Sequence, residues 1–539
     1  MSIDKHFKRA LKNISKYGDT DVFPFPLENS IFFDNQKDVV TLLKSVHKDF
    51  ESALDIEPPF NESYLSPVGY TGFRWVTQID PLWNAYLLGI AVSIGEEIEN
   101  SRIPTNDQYI YSYRFVSGED EKLFDASIGW HAFHKRSIEL AESHDFVAIC
   151  DISDFYQRIR HHKLENALTR LNNVGDIPNR IIKFLGNFSG TYSHGLPVGG
   201  PAARILAELL LSKTDRLLKE KGISFCRFVD DYHLFASSEE EIFDGLLFLS
   251  EKLINNEGLA LQKAKTRIVS STEFIKTSPL SLNDDDDERH DSDEKTNAKV
   301  FLSLTLRFDP YSPTAEEDYE ALKSEVEKFD IIGLLRKEVA KSKIDIVVTR
   351  QIIKSLRFIS DDLRDQAVLS ACDSLHNLYP IFPTIMIMLK KIWNDLSENT
   401  RSKISEIIRN LFKENSRLVK TKPNQVYACR VLFCDSSPEN IELLTNLYIT
   451  TESVMIKRDI ILAMFNWSND AWLSDIRSQF RGFPPPLRRA FIIGSYALGD
   501  EGSHWRNHNK RGFSDFEKLV QKWASDKSQQ NNGVWQVPL

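Results

Sequence analysis

The sequence predicts an α+β fold over its first half and an all-α array of HEAT-like helical pairs over its second. Three observations predict this. Short apolar runs between 145 and 236 alternate with a period of two, as strands do. Beyond about 310 the apolar residues recur with the 3.6-residue period of helices. Between these regions, residues 277–299 are crowded with like charge and almost free of apolar side chains, the composition of a solvated disordered loop. A chain of 539 residues exceeds what one core comfortably holds, so two or three domains are expected.

The first 110 residues mix turn signals, GDTDVFPFP at 18–26 and SPVGYTG at 66–72, with one long helical stretch at 81–100. From 145 the texture is α/β. HDFVAICDIS sets Val147, Ile149 and Asp151 on one face of a strand and Ala148, Cys150 and Ile152 on the other. Helices are expected around 163–171 and 178–188, then a Gly/Pro-rich turn, SHGLPVGG at 193–200, and a long helix over 201–221. SFCRFV and YHLFAS flank Asp230–Asp231 and read as a hairpin. A helix over 239–257 follows, and LALQKAKTRIV reads as two short strands or a strand and turn. In the second half Ile352, Leu356 and Ile359, then Val368, Cys372 and Leu375, then Ile404, Ile407, Ile408 and Leu411 each mark an apolar helix face. Ser437–Pro438 reads as an N-cap followed by proline at the first helical position. Stacked pairs of such helices form an α-solenoid, although no strict repeat is visible.

Composition removes several function classes. Hydrophobic content of 42% and charged content of 27% describe an ordinary soluble globular protein. The five cysteines are scattered and form no CxxC pair, so neither a disulfide framework nor a cysteine zinc site is suggested. The N-terminal stretch lacks an apolar signal core, and no apolar run reaches the length of a membrane span. A cytoplasmic protein without membrane contact is expected. Of the formal charge of −10, residues 284–294 carry −7 through eight acids and one arginine. The remainder is near neutral, so nucleic acid is not gripped by bulk positive charge.

The residues that carry chemistry are carboxylates. Asp151 ends an apolar strand, while Asp230 and Asp231 sit at the tip of the apolar hairpin FCRFVDDYHLFA. Pairing those strands gathers three acids whose mutual repulsion favours a bound cation. Magnesium takes such hard oxygen ligands and keeps several waters, and a metal pair is what phosphoryl transfer from a nucleoside triphosphate needs. An isolated Asp-Asp pair is more often a turn than a site; the surrounding frame decides.

That frame resembles reverse transcriptases in four ordered pieces. DISDFY at 151–156 is similar to motif A, GLPVGGP at 195–201 to motif B, FVDD at 228–231 to motif C and LALQKAKT at 259–266 to motif D. The resemblance implies a fingers region within 1–144, a palm over 145–276, the acidic disordered loop at 277–299 and a helical repeat domain over 300–539. It implies that Asp151, Asp230 and Asp231 hold two Mg2+ ions, or Mn2+ in their place, with the Ile152 carbonyl as a further ligand. Nucleotide contacts would come from Asp154, Phe155, Tyr156, Arg114, Gly199 and Lys265. Tyr156 would be the steric gate against a ribose 2′-OH, Arg114 a triphosphate clamp, and Lys265 a cation near the leaving pyrophosphate. RNA-templated RNA polymerases resemble this layout but usually carry a second Asp at the position of Tyr156, so DNA synthesis is the better match. Val198 departs from the pattern, since glutamine commonly follows the motif B proline.

YGDTDVFPFPLE at 17–28, IYSYRF at 110–115, DISDFYQRI at 151–159 and PAARILAE at 201–208 resemble the bacterial abortive-infection (Abi) and unknown-group defence reverse transcriptases, nearest the P2-prophage Abi and AbiK branch. No recognisable thumb or ribonuclease H domain is present, and helical repeats take their place. The resemblance implies anti-phage defence by untemplated synthesis from dNTPs, with single-stranded DNA attached to a protein tyrosine, in a homo-oligomer of three or six chains. Tyr17, Tyr64 and Tyr70 are among the tyrosines beside turn signals, and the sequence does not choose the primer. One alternative keeps the chemistry and supplies a non-coding RNA as template. Another, of a different class, is a palm-derived scaffold acting through its helical repeats. His504 and His508 lie four apart, a spacing able to chelate metal on a helix, but neighbouring glycines suggest a solvated polar segment instead. His161–His162 reads as the surface of a helix start, and Pro484–Pro486 as a rigid break between helices.

Overall fold

The computed structural model describes residues 3–190, 192–278, 326 and 330–539. The expected acidic loop, beyond its first two residues, lies outside these described residues, as does most of 310–329.

The N-terminal part is richer in regular structure than its turn signals suggest. Phe7, Ala10, Leu11 and Ile14 form the buried stripe of a helix Ile3–Tyr17, with the i, i+3, i+4, i+7 spacing that buries one face. Helices Glu28–Asp34, Gln36–Lys48 and Phe50–Ile56 follow. The antiparallel hairpin of β1 (Asn61–Val68) and β2 (Gly72–Ile79) comes next. The long helix expected over 81–100 is two helices, Pro81–Ser93 and Gly95–Ser101, broken at Ile94. Gly95 seats the Phe115 ring, which a Cβ there would meet at 2.5 Å.

Four antiparallel strands form the central sheet in the order β4-β5-β3-β6: β3 (Phe146–Asp151), β4 (Ser224–Phe228), β5 (Asp231–Ala236) and β6 (Arg267–Ser270). The alternation read from the sequence is the observed one. Ala148 and Cys150 join Phe225, Tyr232 and Leu234 in the main core. Val147, Cys226, Phe235 and Val269 pack instead with Phe133 and Ala141 of helix Trp130–Ala141 and with Phe274 of helix Ser271–Thr277. Helices Pro201–Glu220 and Glu239–Lys252 pack against the sheet.

The second described region is all helical. Phe382–Lys391, Lys422–Leu432, Val454–Asn466, Pro485–Gly494 and Asp515–Gln530 stack in that order, each on the next. Asp361–Asp373, Glu398–Lys413 and Pro438–Thr450 form a parallel row beside them. Stacking on every second helix is the HEAT-like arrangement. Pro438 does open a helix, but Ser437 does not cap it with its side chain; its Oγ donates to Asp435 Oδ2 at 3.1 Å. His504 and His508 prove to lie on a helix, Gly499–Asn509, and both are exposed. Gly502 does not loosen that helix. It admits the Ser495 carbonyl, which a Cβ would meet at 1.9 Å.

The two halves share one continuous core running from Phe7 to Leu539. Arg489 donates to Glu28 Oε1 at 2.8 Å and to Asp80 Oδ2, all three groups being buried. The Glu62 carboxylate accepts from the amides of Val454 and Met455 at 2.7 and 3.0 Å, at the N-terminus of a stacked helix, where a negative charge is favoured. Among the described residues no helix is long and apolar enough to cross a membrane.

Candidate active site

The register of β3 on β5 sets Asp151 directly opposite Asp231. Residues opposite each other in an antiparallel pair project to the same face, so these two carboxylates face the same way. Asp230 occupies the two-residue link between β4 and β5, since Phe228 pairs with Asp231. The Asp230 carbonyl accepts from the Ile152 amide at 3.0 Å, which locks the end of β3 to the turn. The segment 259–266 closes the other side: the Asp151 carbonyl accepts from the Gln262 amide at 2.7 Å and Ser153 donates to the Ala260 carbonyl at 2.9 Å.

Electrostatics mark this corner as costly without a cation. Burial, then Asp230 and Asp151, push the Asp231 carboxyl up to about 7. Burial and Asp151 push Asp230 up to about 6, against a backbone hydrogen bond that lowers it. Lys265 Nζ contacts Asp151 Oδ2 at 2.6 Å and is itself raised, first by that hydrogen bond. Among the described residues no three carboxylate, histidine or cysteine side chains already converge as a cation cage. The donor set nonetheless fits magnesium: the oxygens are hard and repel one another, and an ammonium already stands against one of them as a cation surrogate.

The other expected residues divide. Tyr156 is half-buried, its phenol held well above the usual range by burial and by Tyr113. Its carbonyl accepts from the Leu196 amide at 2.9 Å, tying it to the Gly/Pro turn. Asp154 has a left-handed backbone, φ 48°, and pairs with Arg158 on the surface at 3.3 Å. The Phe155 ring is 3% exposed and belongs to the core, so a nucleotide contact by that ring is corrected to a packing role. Gly199, at φ +109°, lies against the loop 20–22, where a Cβ would come within 2.4 Å of Thr20 Oγ1. Arg114 is a correction as well. It is 2% exposed, and its guanidinium is spent on Glu99 Oε1 and on the carbonyls of Ile103 and Ile110. It braces the fold and is withdrawn as a phosphate clamp. His161, expected on the surface, is buried and reaches the Gly195 carbonyl at 2.9 Å.

Several residues around the site escaped the sequence reading. Arg204 stacks over the Tyr113 ring at 5.1 Å and donates to Asp21 Oδ2 at 2.7 Å. Arg227, wholly buried beneath the turn, binds Glu208 and Asp215. Their signal was present: Glu208 and Asp215 are seven apart on an otherwise apolar helix face, and an arginine interrupts an apolar strand.

A family model agrees with this geometry. Residues 106–306, under half of the chain, match the family model described as reverse transcriptase (RNA-dependent DNA polymerase). Among curated proteins none matches. Among solved structures the chain is similar to telomerase from Candida albicans in complex with a TWJ fragment of telomeric RNA. The two are 13% identical over 69% of this chain and 68% of that one, with a TM-score of 0.30. It is also similar to apo telomerase from Candida Tropicalis, at 12% identity over 77% and 73% with a TM-score of 0.30. The chain thus carries a reverse transcriptase domain, which places it among the nucleotidyltransferases of the RNA-directed DNA polymerase class.

Proposed function

We propose that this chain is an anti-phage defence polymerase of the abortive-infection kind, adding deoxynucleotides without a template and starting from a tyrosine hydroxyl of the protein. The observation that carries the polymerase part is the facing of Asp151 and Asp231 across β3 and β5 with Asp230 at the adjoining turn. In this reading Asp151, Asp230 and Asp231 hold two Mg2+ ions, with the Ile152 carbonyl as a further donor and Mn2+ as a substitute. Bound ions would neutralise the triphosphate and acidify the attacking hydroxyl. Asp151 must then leave Lys265, whose freed ammonium turns to the leaving pyrophosphate. Tyr156 bounds the space beside the sugar. Gly199 keeps the turn behind the nucleotide narrow.

Val198 in the place of glutamine, and a chain near neutral outside its acidic segment, support synthesis that grips no template duplex. Of the three tyrosines singled out, Tyr64 donates to Glu62 Oε1 at 2.7 Å and Tyr70 to the Asn377 carbonyl at 2.9 Å. Tyr17 is 46% exposed and is the first of the three to substitute. The resemblance of motifs to the Abi group supports a trimer or hexamer in a bacterial cytoplasm.

The test is incubation of purified protein with labelled dNTPs, Mg2+ and no added nucleic acid, followed by a denaturing gel with and without protease. A labelled ladder on the protein that collapses on proteolysis is expected. Label that appears only when RNA is present, in a product whose sequence follows that RNA, overturns the untemplated reading in favour of copying a partner RNA.

A further inference from the structure

Val229 carries φ 58°, a left-handed conformation that a β-branched residue resists at a cost of about 1–3 kcal/mol. It is one of the two residues joining β4 to β5, so its conformation decides where Asp230 and Asp231 point. Such a conformation persists only where the surroundings over-determine it.

We infer that Arg227 is a positioning residue for this turn, anchoring the Val229 carbonyl to the long helix behind the sheet and so fixing the direction of the two aspartates. The inference rests on the proposal that those aspartates are catalytic. Arg227 is 0% exposed, and its Nη1 donates to the Val229 carbonyl at 2.9 Å. The rest of the guanidinium is clamped. Nε and Nη2 reach Asp215 at 3.0 and 2.8 Å, while Nη1 and Nη2 reach Glu208 at 3.1 and 2.8 Å. Both acids belong to helix Pro201–Glu220 and are themselves held. Tyr232 Oη donates to Asp215 at 2.9 Å; Ser112 Oγ and Arg102 Nη2 donate to Glu208 at 2.6 Å each. Arg102 also binds the Tyr113 carbonyl at 3.0 Å, so one network references both the aspartate turn and the residue beside Tyr156 to a single rigid helix. A planar guanidinium offers several donors in fixed directions, which lysine does not. Buried ion networks contribute little net stability over apolar replacements, and here the return is geometric.

The test measures incorporation of labelled dTTP on poly(rA)/oligo(dT), and without nucleic acid, for Arg227→Lys, Arg489→Lys and Asp230→Asn, with Tm for each. Arg489 sits in a separate buried ion cluster, between Glu28 and Asp80, and controls for lost stability. Arg227→Lys is expected to lower kcat roughly 10- to 100-fold, the scale of an ångström-sized misplacement. It should raise the Mg2+ concentration for half-maximal rate and leave the KM for dTTP nearly unchanged. Arg489→Lys of comparable Tm should keep wild-type kcat. Wild-type kcat and Mg2+ dependence in Arg227→Lys, or an equal kcat loss in Arg489→Lys, overturns the inference. If Arg227→Lys does not fold, Tyr232→Phe replaces it. A several-fold fall in kcat with the same Mg2+ shift supports the anchor, and wild-type behaviour in both readouts removes it. Asp230→Asn separates the two ideas: if it stays active, the catalytic assignment itself fails; if it is dead while Arg227→Lys is normal, only the anchor does.

Discussion

Without a cation, a carboxyl at about 7 on Asp231 and one at about 6 on Asp230 hold protons that the unfolded chain would release near pH 4. Two consequences of opposite sign follow. The contribution of these two carboxyls to metal-free stability falls as pH rises from about 4 to 7, because in the native state they bind more protons than in the unfolded state there. Metal binding displaces those protons, so apparent Mg2+ affinity should climb as pH rises from about 5 to 7, by at most about tenfold per unit for each proton released, and level off above it. Asp231→Asn should flatten that climb and raise metal-free Tm at pH 8, while abolishing incorporation; calorimetric titration and thermal melts check both. At Val229 the side chain is 6% exposed and its backbone is strained. Alanine there loses burial and keeps the strain, whereas glycine loses burial and sheds it. Urea unfolding should therefore rank Val229→Gly at least as stable as Val229→Ala, by up to about 1 kcal/mol, the reverse of the order at an ordinary strand position. Tyr156→Ala should admit ribonucleotides, raising relative rNTP incorporation by roughly 10- to 100-fold in a dNTP/rNTP competition assay. An unchanged ratio removes the gate role.

Elements were legible where periodicity is strong. The alternation around Asp151, the hairpin that carries Asp230 and Asp231, and the 201–220 helix all lie where their patterns placed them. The facing of the carboxylates then follows from strand register, which alternation specifies. What the pattern could not give is the target of a polar side chain. Arg114 sits in IYSYRF, a segment with plausible phosphate chemistry, and only packing shows its guanidinium turned inward onto Glu99. Two of the four N-terminal helices span only seven residues each, too short for a periodic stripe to declare itself. The glycines around His504 read as breakers, yet Gly502 is a close-approach position, as is Gly95. Gly199 combines both demands, a left-handed backbone and the Thr20 side chain within 2.4 Å of a Cβ. Gly199→Ala should cost about 1–3 kcal/mol in denaturant unfolding and displace the 19–22 loop, seen as faster amide exchange there.

On the scale of the whole molecule, the helical stack is built into the polymerase half. Arg489→Met would take from the buried Glu28 and Asp80 carboxylates the cation that pairs with both, at a cost of about 3–5 kcal/mol. Adding Glu28→Gln and Asp80→Asn should recover most of it. Far-ultraviolet dichroism and tryptophan fluorescence should report one coincident transition in the wild type, and two separated transitions would show that the halves melt independently. The same ion cluster has a bearing on synthesis. Asp80 and Arg489 are 409 residues apart in the chain, an interval of roughly 20 to 80 s at ribosomal speeds. Throughout that interval the nascent front half has acids prepared for burial and no guanidinium to receive them. A polypeptide released before residue 489 therefore lacks the cation that pairs with the buried Glu28 and Asp80 carboxylates.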